Sequence, residues 1–158
     1  MLTIGRCRAA LVCLFGISFF VCAAERGSPV QEPFDHGYGR IAWEDEKSRL
    51  DTFAIQLLQE TDYVGYIFVF NAPEMCPGEA QARAVRAKRY IVEHRGVPWN
   101  RVIWKEEGYR AELETTLWIF KRAQAIPYRL FSGSPPPTKL QVKGCHARIA
   151  KIRRSKWN

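Results

Sequence analysis

The chain has few of the residues that enzymes commonly use for catalysis or metal binding. It contains only three histidines, His36, His94 and His146, which lie far apart in the sequence. It has no HExxH motif, no CxxC motif and no serine with the flanking glycines of a nucleophile elbow. We therefore expect no enzymatic activity, no catalytic residue, no metal site and no cofactor. A small secreted enzyme is kept as the third alternative.

The sequence also lacks an N-terminal apolar run long enough for a comfortable membrane span. Residues 9–21 form an apolar run of 13 residues, whereas a transmembrane helix needs about 20. Arg6 and Arg8 precede this run, and the small residues Cys22-Ala23-Ala24 follow it. This layout predicts a secretory signal peptide over residues 1–24 and therefore export of the protein. The alternatives are an uncleaved anchor and lipid attachment at Cys22.

Acidic residues are absent from the last part of the chain. Residues 121–158 contain 10 Lys and Arg and no Asp or Glu, whereas residues 25–120 contain 12 Lys and Arg against 16 Asp and Glu. The net charge of +8 therefore comes mainly from the C-terminal part. We expect residues 123–158 to be a proline-containing linker and a disordered basic tail. An anionic envelope surface, lipid headgroups or cell-wall polymer, is the expected partner, and nucleic acid is not expected.

Few cysteines remain after the predicted signal peptide. Three of the five, Cys7, Cys13 and Cys22, lie in it or at its edge. Cys76 and Cys145 are left, and an even pair in an exported protein allows a disulfide. Their spacing has no metal-site pattern. Two unpaired thiols are equally compatible with the sequence.

Hydrophobic patterns predict one α/β domain over residues 25–122. The first strand is expected to end at residue 35, and residues 36–39 to form a turn. Helices are predicted over 44–60 and 78–94, and strands over 63–70, 101–105 and 113–120. On the first helix, Leu50, Phe53, Ala54, Leu57 and Leu58 form the apolar face. The order β-α-β-α-β-β favours a two-layer sandwich with two helices on one face of a mixed sheet.

The second helix carries an alanine stripe and a basic run. Ala80, Ala84, Ala87 and Ile91 recur every three or four residues, which predicts a face packed on the sheet. Arg86 lies in the basic run between residues 83 and 89. This run is either a solvated face or a place where the guanidinium of Arg86 binds a carboxylate in bidentate geometry.

Several short motifs follow one another between residues 33 and 120. They are Phe34-Asp35, Leu50-Asp51-Thr52-Phe53-Ala54, Arg86-Ala87 with Tyr90-Ile91, Arg95-Gly96-Val97-Pro98-Trp99-Asn100-Arg101-Val102, and Glu107-Gly108-Tyr109-Arg110. In order and spacing the chain resembles the OmpA-like domain, the C-terminal peptidoglycan-binding module of many bacterial envelope proteins. For an exported protein, this resemblance implies a location in the periplasm or cell envelope.

The resemblance implies a binding site for the wall peptide. In that family an aspartate after the second strand and an arginine on the next helix bind diaminopimelate. Arg86 matches the arginine, whereas the chain reads Phe70-Asn71-Ala72-Pro73-Glu74 where the family has Gly-His-Thr-Asp. Asn71 and Glu74 are the candidate replacements for the aspartate. The family's Asn-Arg near the last strand also has no counterpart in residues 112–116.

Two functions follow from this resemblance. The first is peptidoglycan binding through Arg86, with Asn71 or Glu74 as its partner. The second is an OmpA-like fold that has lost wall binding and serves as a protein-interaction or scaffold domain. The first is the leading hypothesis, and the missing aspartate is the observation that supports the second.

Overall fold

The computed structural model describes residues 33–123, Ser134 and residues 142–154. The predicted signal peptide and most of the predicted linker lie outside the described residues. The elements are β1 (Asp35–Tyr38), α1 (Trp43–Gln59), β2 (Tyr63–Asn71), α2 (Glu79–Arg89), β3 (Val102–Tyr109), β4 (Glu114–Lys121) and α3 (Cys145–Arg154). A π-helical turn, Tyr90–His94, continues α2, and a 3-10 turn, Trp99–Arg101, precedes β3.

The four strands form one mixed sheet in the order β1-β4-β2-β3. Strands β2 and β3 are parallel, and α2 lies in the connection between them. Strand β4 is antiparallel to both β1 and β2, with Tyr63 opposite Lys121 and Phe70 opposite Glu114. The predicted mixed α/β fold and the order of its first six elements are therefore confirmed.

The main core lies between the sheet and the two long helices. Because side chains alternate along a strand, Ile67 and Val69 lie together on one face of β2, in one cluster with residues of α1 and α2. The alanine stripe of α2 is at most 1% exposed at each position, as predicted. Leu58, predicted to be apolar core, is instead 46% exposed. It lies about a quarter of a turn from the middle of the buried stripe of α1.

Helix α1 approaches β2 closely at a glycine. A Cβ atom at Gly65 would lie 2.6 Å from Leu57 Cδ1 and 2.6 Å from Phe53 Cζ. At the end of α1, the buried guanidinium of Arg101 donates to the carbonyl oxygens of Leu57, Glu60 and Tyr63. These carbonyls include helix-end acceptors that lack intrahelical partners. Arg101 therefore fixes the end of α1 against the start of β3.

The motif residue Asp51 joins the two long helices. Its carboxylate accepts a hydrogen bond of 2.6 Å from the hydroxyl of Tyr90 and lies 3.3 Å from Nε of Arg95. Burial, followed by the bond to Asp51, raises the pKa of Tyr90 to about 12. The Leu50-Asp51 and Tyr90-Ile91 motifs thus lie against each other and position α1 relative to α2.

The other face of the sheet carries a separate aromatic cluster. Phe68, Phe70, Trp118 and Phe120 are buried there, with Tyr66 packed against them. The rings of Trp118 and Phe120 stack with their centroids 5.7 Å apart, and Tyr66 meets Phe120 edge to face at 5.5 Å. Apolar residues on both faces explain why residues 63–70 carry no charge.

Two strand boundaries differ from the prediction. The turn predicted over residues 36–39 is wrong for 36–38, which belong to β1. Gly37 has a φ of 95°, and the register of β1 on β4 shifts there, so the strand continues across an irregularity that resembles a turn in sequence. The strand predicted over residues 101–105 is also too short. Strand β3 reaches Tyr109, whose N–H and carbonyl pair with Ser134.

The predicted disorder of the basic tail is wrong for residues 145–154, which form α3. One stripe of α3 is buried or half-buried, and its residues lie three or four positions apart: Cys145, Arg148, Ile149 and Ile152. Ile152 is only 7% exposed. Helix α3 packs on α2. The high density of positive charge masked this short amphipathic pattern in the sequence.

Candidate functional site

Arg86, the residue singled out from the sequence, lies inside the protein. Helix α2 directs it towards the start of α1, where its guanidinium donates a hydrogen bond to the carboxylate of Glu46. The guanidinium also lies over the ring of Trp43, with its central carbon 4.2 Å from the ring centroid. The side chains of Arg86 and Glu46 are only 10% and 3% exposed. Arg86 therefore already binds a carboxylate, and that carboxylate belongs to the protein itself.

The Glu46 carboxylate lies in an environment that disfavours its charge. Burial raises the pKa of Glu46, and the guanidinium of Arg86 opposes that shift without cancelling it. The hydroxyl of Tyr38 lies 3.5 Å from Glu46 Oε1. Burial and the charge of Glu46 together raise the pKa of Tyr38 well above its usual value. Glu46 is one of three acidic residues in the first turn of α1. Only its burial distinguishes it from Glu44 and Asp45, and the sequence does not show that burial.

Neither candidate replacement for the family aspartate reaches Arg86. The side chain of Asn71 is buried and donates a hydrogen bond to Glu106, which lies on the adjacent strand β3. Glu74 is exposed on the loop between β2 and α2. The structure gives neither residue a hydrogen bond or ion pair with Arg86 among the described parts of the chain. The three residues do not form one site.

A second carboxylate, Glu79, organises three arginines. Glu79 is 0% exposed; its Oε1 atom lies 3.1 Å from Nη1 of Arg40 and 3.2 Å from Nη2 of Arg83. Its Oε2 atom lies 3.5 Å from Nη1 of Arg148 and accepts a 3.3 Å hydrogen bond from the N–H of Cys76. Burial alone raises the pKa of Glu79, but the Cys76 N–H, Arg40 and Arg83 together outweigh it and lower the pKa.

The two carboxylates belong to one electrostatic cluster. Arg83 binds Glu79 and also lowers the pKa of Glu46 through its charge. We call Arg40, Arg83, Arg86 and Arg148 the arginine cluster. These four guanidinium groups share two carboxylates, so a positive charge excess is left. The excess lies where the cluster opens, because Arg40 and Arg148 are each 40% exposed.

Sequence reasoning missed two of the four arginines in the arginine cluster, Arg40 and Arg148. Arg40 precedes α1 and Arg148 lies on α3, so only the fold brings them together. The available signal was the spacing of Glu79 and Arg83, four residues apart on one helix, which is typical of a surface pair. Its significance depends on the complete burial of Glu79, which sequence spacing does not show.

Cys76 and Cys145 form a disulfide. Of the two possibilities that the sequence allows, a disulfide or two free thiols, the structure has the disulfide. Their Cα atoms are 5.3 Å apart. Cys76 lies just before α2, and Cys145 is the first residue of α3. Because Arg148 lies one turn after Cys145, the disulfide and the Arg148–Glu79 contact fasten α3 to the start of α2.

The two histidines whose side chains the structure describes, His94 and His146, do not share a site. His94 stacks on Tyr90 with ring centroids 5.0 Å apart, and His146 is exposed on α3. Within residues 33–123 and 142–154, no group of three or more His, Cys, Asp or Glu residues could hold a metal ion. None of the helices described is long and apolar enough to cross a membrane.

Comparisons with known protein families, with curated proteins and with solved structures each found no match. The function is therefore argued from the geometry and from the sequence motifs.

Proposed function

We propose that this chain is an exported, non-enzymatic domain of the bacterial cell envelope that serves as a protein-interaction or scaffold domain. Its motifs resemble those of OmpA-like domains, and the position of the wall-binding arginine is kept. In this chain that arginine has taken an internal role. The observation that carries the proposal is the hydrogen bond from Arg86 to the buried Glu46, with the guanidinium of Arg86 over the ring of Trp43.

The energy of the Arg86–Glu46 pair argues against wall binding at this position. A carboxylate of the wall peptide would have to displace Glu46 and leave it buried without its partner. Breaking a buried ion pair in this way costs about 3–5 kcal/mol. At 1.4 kcal/mol for each factor of ten, that cost weakens binding by about two to three and a half orders of magnitude. A ligand that gains one carboxylate contact at Arg86 would not recover it.

The second half of the family's ligand site is also occupied or displaced. Asn71 uses its amide on Glu106, and Glu74 is on an exposed loop. Neither supports Arg86 in holding a zwitterionic amino acid. The paired Cys76 and Cys145 support export, because stable disulfides are typical of oxidising compartments.

The test is a pulldown of the protein without residues 1–24 on purified peptidoglycan. It compares the wild type with a double variant, Arg86→Met with Glu46→Leu, which removes both charges and keeps side-chain volume. Arg89→Ala is the matched control, because Arg89 is a neighbouring arginine on α2 whose side chain is 53% exposed. We expect the same retention for all three proteins. Retention of the wild type and the control together with loss of the double variant would establish wall binding through Arg86 and overturn the proposal.

A further inference from the structure

Arg40 and Arg148 form the open side of the arginine cluster, and we call them the open arginine pair. Each approaches Glu79 through a single nitrogen, Nη1, at 3.1 Å and 3.5 Å respectively. A guanidinium carries five N–H groups. With 40% of each side chain exposed, both arginines keep donors available for an acceptor arriving from solvent.

The open arginine pair is held in place before any ligand arrives. Glu79, which is 0% exposed, binds Arg40 and Arg148 through its two different oxygens. The Cys76–Cys145 disulfide fixes the start of the helix that carries Arg148. Ordering long side chains is a large part of the cost of binding, so a pair that is already ordered binds with a smaller loss of entropy.

The surface next to Arg148 is also basic. Lys151 follows Arg148 by three residues on α3 and is exposed, so the two side chains are neighbours on the helix. No acidic residue occurs between residues 121 and 158. The exposed carboxylate nearest in sequence to the disulfide is Glu74, two residues before Cys76. The positive charge of α3 therefore attracts an anionic partner to the Arg148 side of the pair.

We infer that the open arginine pair binds an acidic segment of a partner protein through that segment's carboxylates. The inference rests on the proposed role as an interaction domain and names the chemistry of its partner. The planar guanidinium matches a carboxylate in bidentate geometry. Anionic bilayers instead attract clusters of roughly four to eight basic residues with little demand on their geometry. Helix α3 also carries Lys151, Arg153 and Arg154, so the number of charges suits either partner. Arg40 and Arg148 are, however, both held on the buried carboxylate of Glu79, and two guanidinium groups fixed in this way are better suited to a defined carboxylate side chain.

The test measures the fluorescence anisotropy of a labelled hexaglutamate peptide, with hexaglutamine as the uncharged probe. The variant is Arg40→Gln with Arg148→Gln, and Arg89→Gln is the control for loss of an exposed arginine. We expect the double variant to bind hexaglutamate about tenfold more weakly, the effect of losing roughly one charge-assisted hydrogen bond. The control stays within about twofold of the wild type, and hexaglutamine does not bind. Arg40→Gln alone, which changes no helix residue, repeats the test if the double variant fails to fold.

Two results would overturn the inference. One is that the wild type does not bind hexaglutamate, or binds it with the same affinity as the double variant. The other is binding to phosphatidylglycerol vesicles that depends on the same two arginines and exceeds binding to the peptide, which would assign the surface to lipid. If the peptide test fails while retention on peptidoglycan does not depend on Arg86, this inference is wrong and the proposed function still stands. Arg86-dependent retention on peptidoglycan removes the proposed function instead.

Discussion

The guanidinium of Arg86 on α2 donates a hydrogen bond to the carboxylate of Glu46 on α1, and both side chains are almost completely buried. Desolvation offsets much of the attraction in such a pair, so it does not make the protein more stable than an apolar pair would. It does penalise any arrangement that separates the partners. The pair therefore fixes how the two helices meet. At this position the basic run is neither a solvated face nor an arginine open to ligand.

Separate removal of the two charges should be more harmful than their joint removal. We expect Arg86→Met alone and Glu46→Leu alone each to lower the free energy of unfolding by about 3 kcal/mol, because each leaves one buried charge without its partner. The double variant should cost less than either single variant. Urea denaturation at pH 7 measures all three. Additive losses in the double variant would show that the two residues act independently.

The disulfide should account for a large part of the stability. Cys76 and Cys145 are separated by 69 positions, and closing a loop of that length in the unfolded chain stabilises the fold by about 4 kcal/mol in the chain-entropy relation. We expect dithiothreitol to lower the urea midpoint strongly, and hydrogen exchange to increase first in α3. The double variant Cys76→Ala with Cys145→Ala should no longer respond to dithiothreitol. Equal midpoints with and without reductant in the wild type would contradict this expectation.

Glu79 should give the protein an acid-sensitive component of stability. Its folded pKa is lowered, so its contribution is complete above the unfolded pKa, about 4.3, and is lost as the pH falls through the folded value. We expect Glu79→Gln to cost about 3 kcal/mol at pH 7, where three arginines lose their carboxylate. The difference from the wild type should shrink as the pH falls below about 4.3, the unfolded pKa. Urea denaturation above and below that pH tests the prediction, and a difference independent of pH would disprove it.

Glu46 should change stability with pH in the opposite direction. Its folded pKa is raised, so its contribution is complete below the unfolded pKa and is lost as the pH rises through the folded value. Arg83 lies close to both Glu46 and Glu79, so the two glutamates can be compared within one cluster of charges. In Glu46→Gln, stability should fall less than in the wild type as the pH rises above about 4.3, the unfolded pKa of a glutamate. The same urea titrations measure this change, and parallel curves for the two proteins would rule it out.

The sequence predicted the elements well where one period dominates. The alanine stripe of α2 and the uncharged run of β2 both have the burial that their patterns indicated. Prediction failed where a local rule competes with tertiary contacts. Gly37 signals a turn but lies in β1, and the positive charges of α3 conceal a stripe that includes Ile152.

The arginine cluster could not be derived from sequence for a different physical reason. Its members are brought together by the fold and by a disulfide rather than by spacing. Arg40 and Arg148 lie far apart in the chain, and one buried carboxylate, Glu79, joins them. The Arg86-Ala87 motif indicates a carboxylate-binding arginine but has no information about Glu46, which lies on another helix.

Arg101, which belongs to the motif over residues 95–102, should stabilise the fold through its hydrogen bonds to backbone carbonyls. Its Nη2 atom lies 2.6 Å from the carbonyl oxygen of Leu57 and 2.9 Å from that of Tyr63, and its Nε atom also donates to Tyr63. A lysine has one nitrogen on a flexible chain and cannot reproduce this planar arrangement. We expect Arg101→Lys to lower the free energy of unfolding by about 2 kcal/mol, as charged hydrogen bonds to buried carbonyls are lost. Arg89→Lys, at an exposed position, should change it by less than about 0.5 kcal/mol. If the two variants unfold at the same urea concentration, the carbonyl contacts of Arg101 do not stabilise the end of α1.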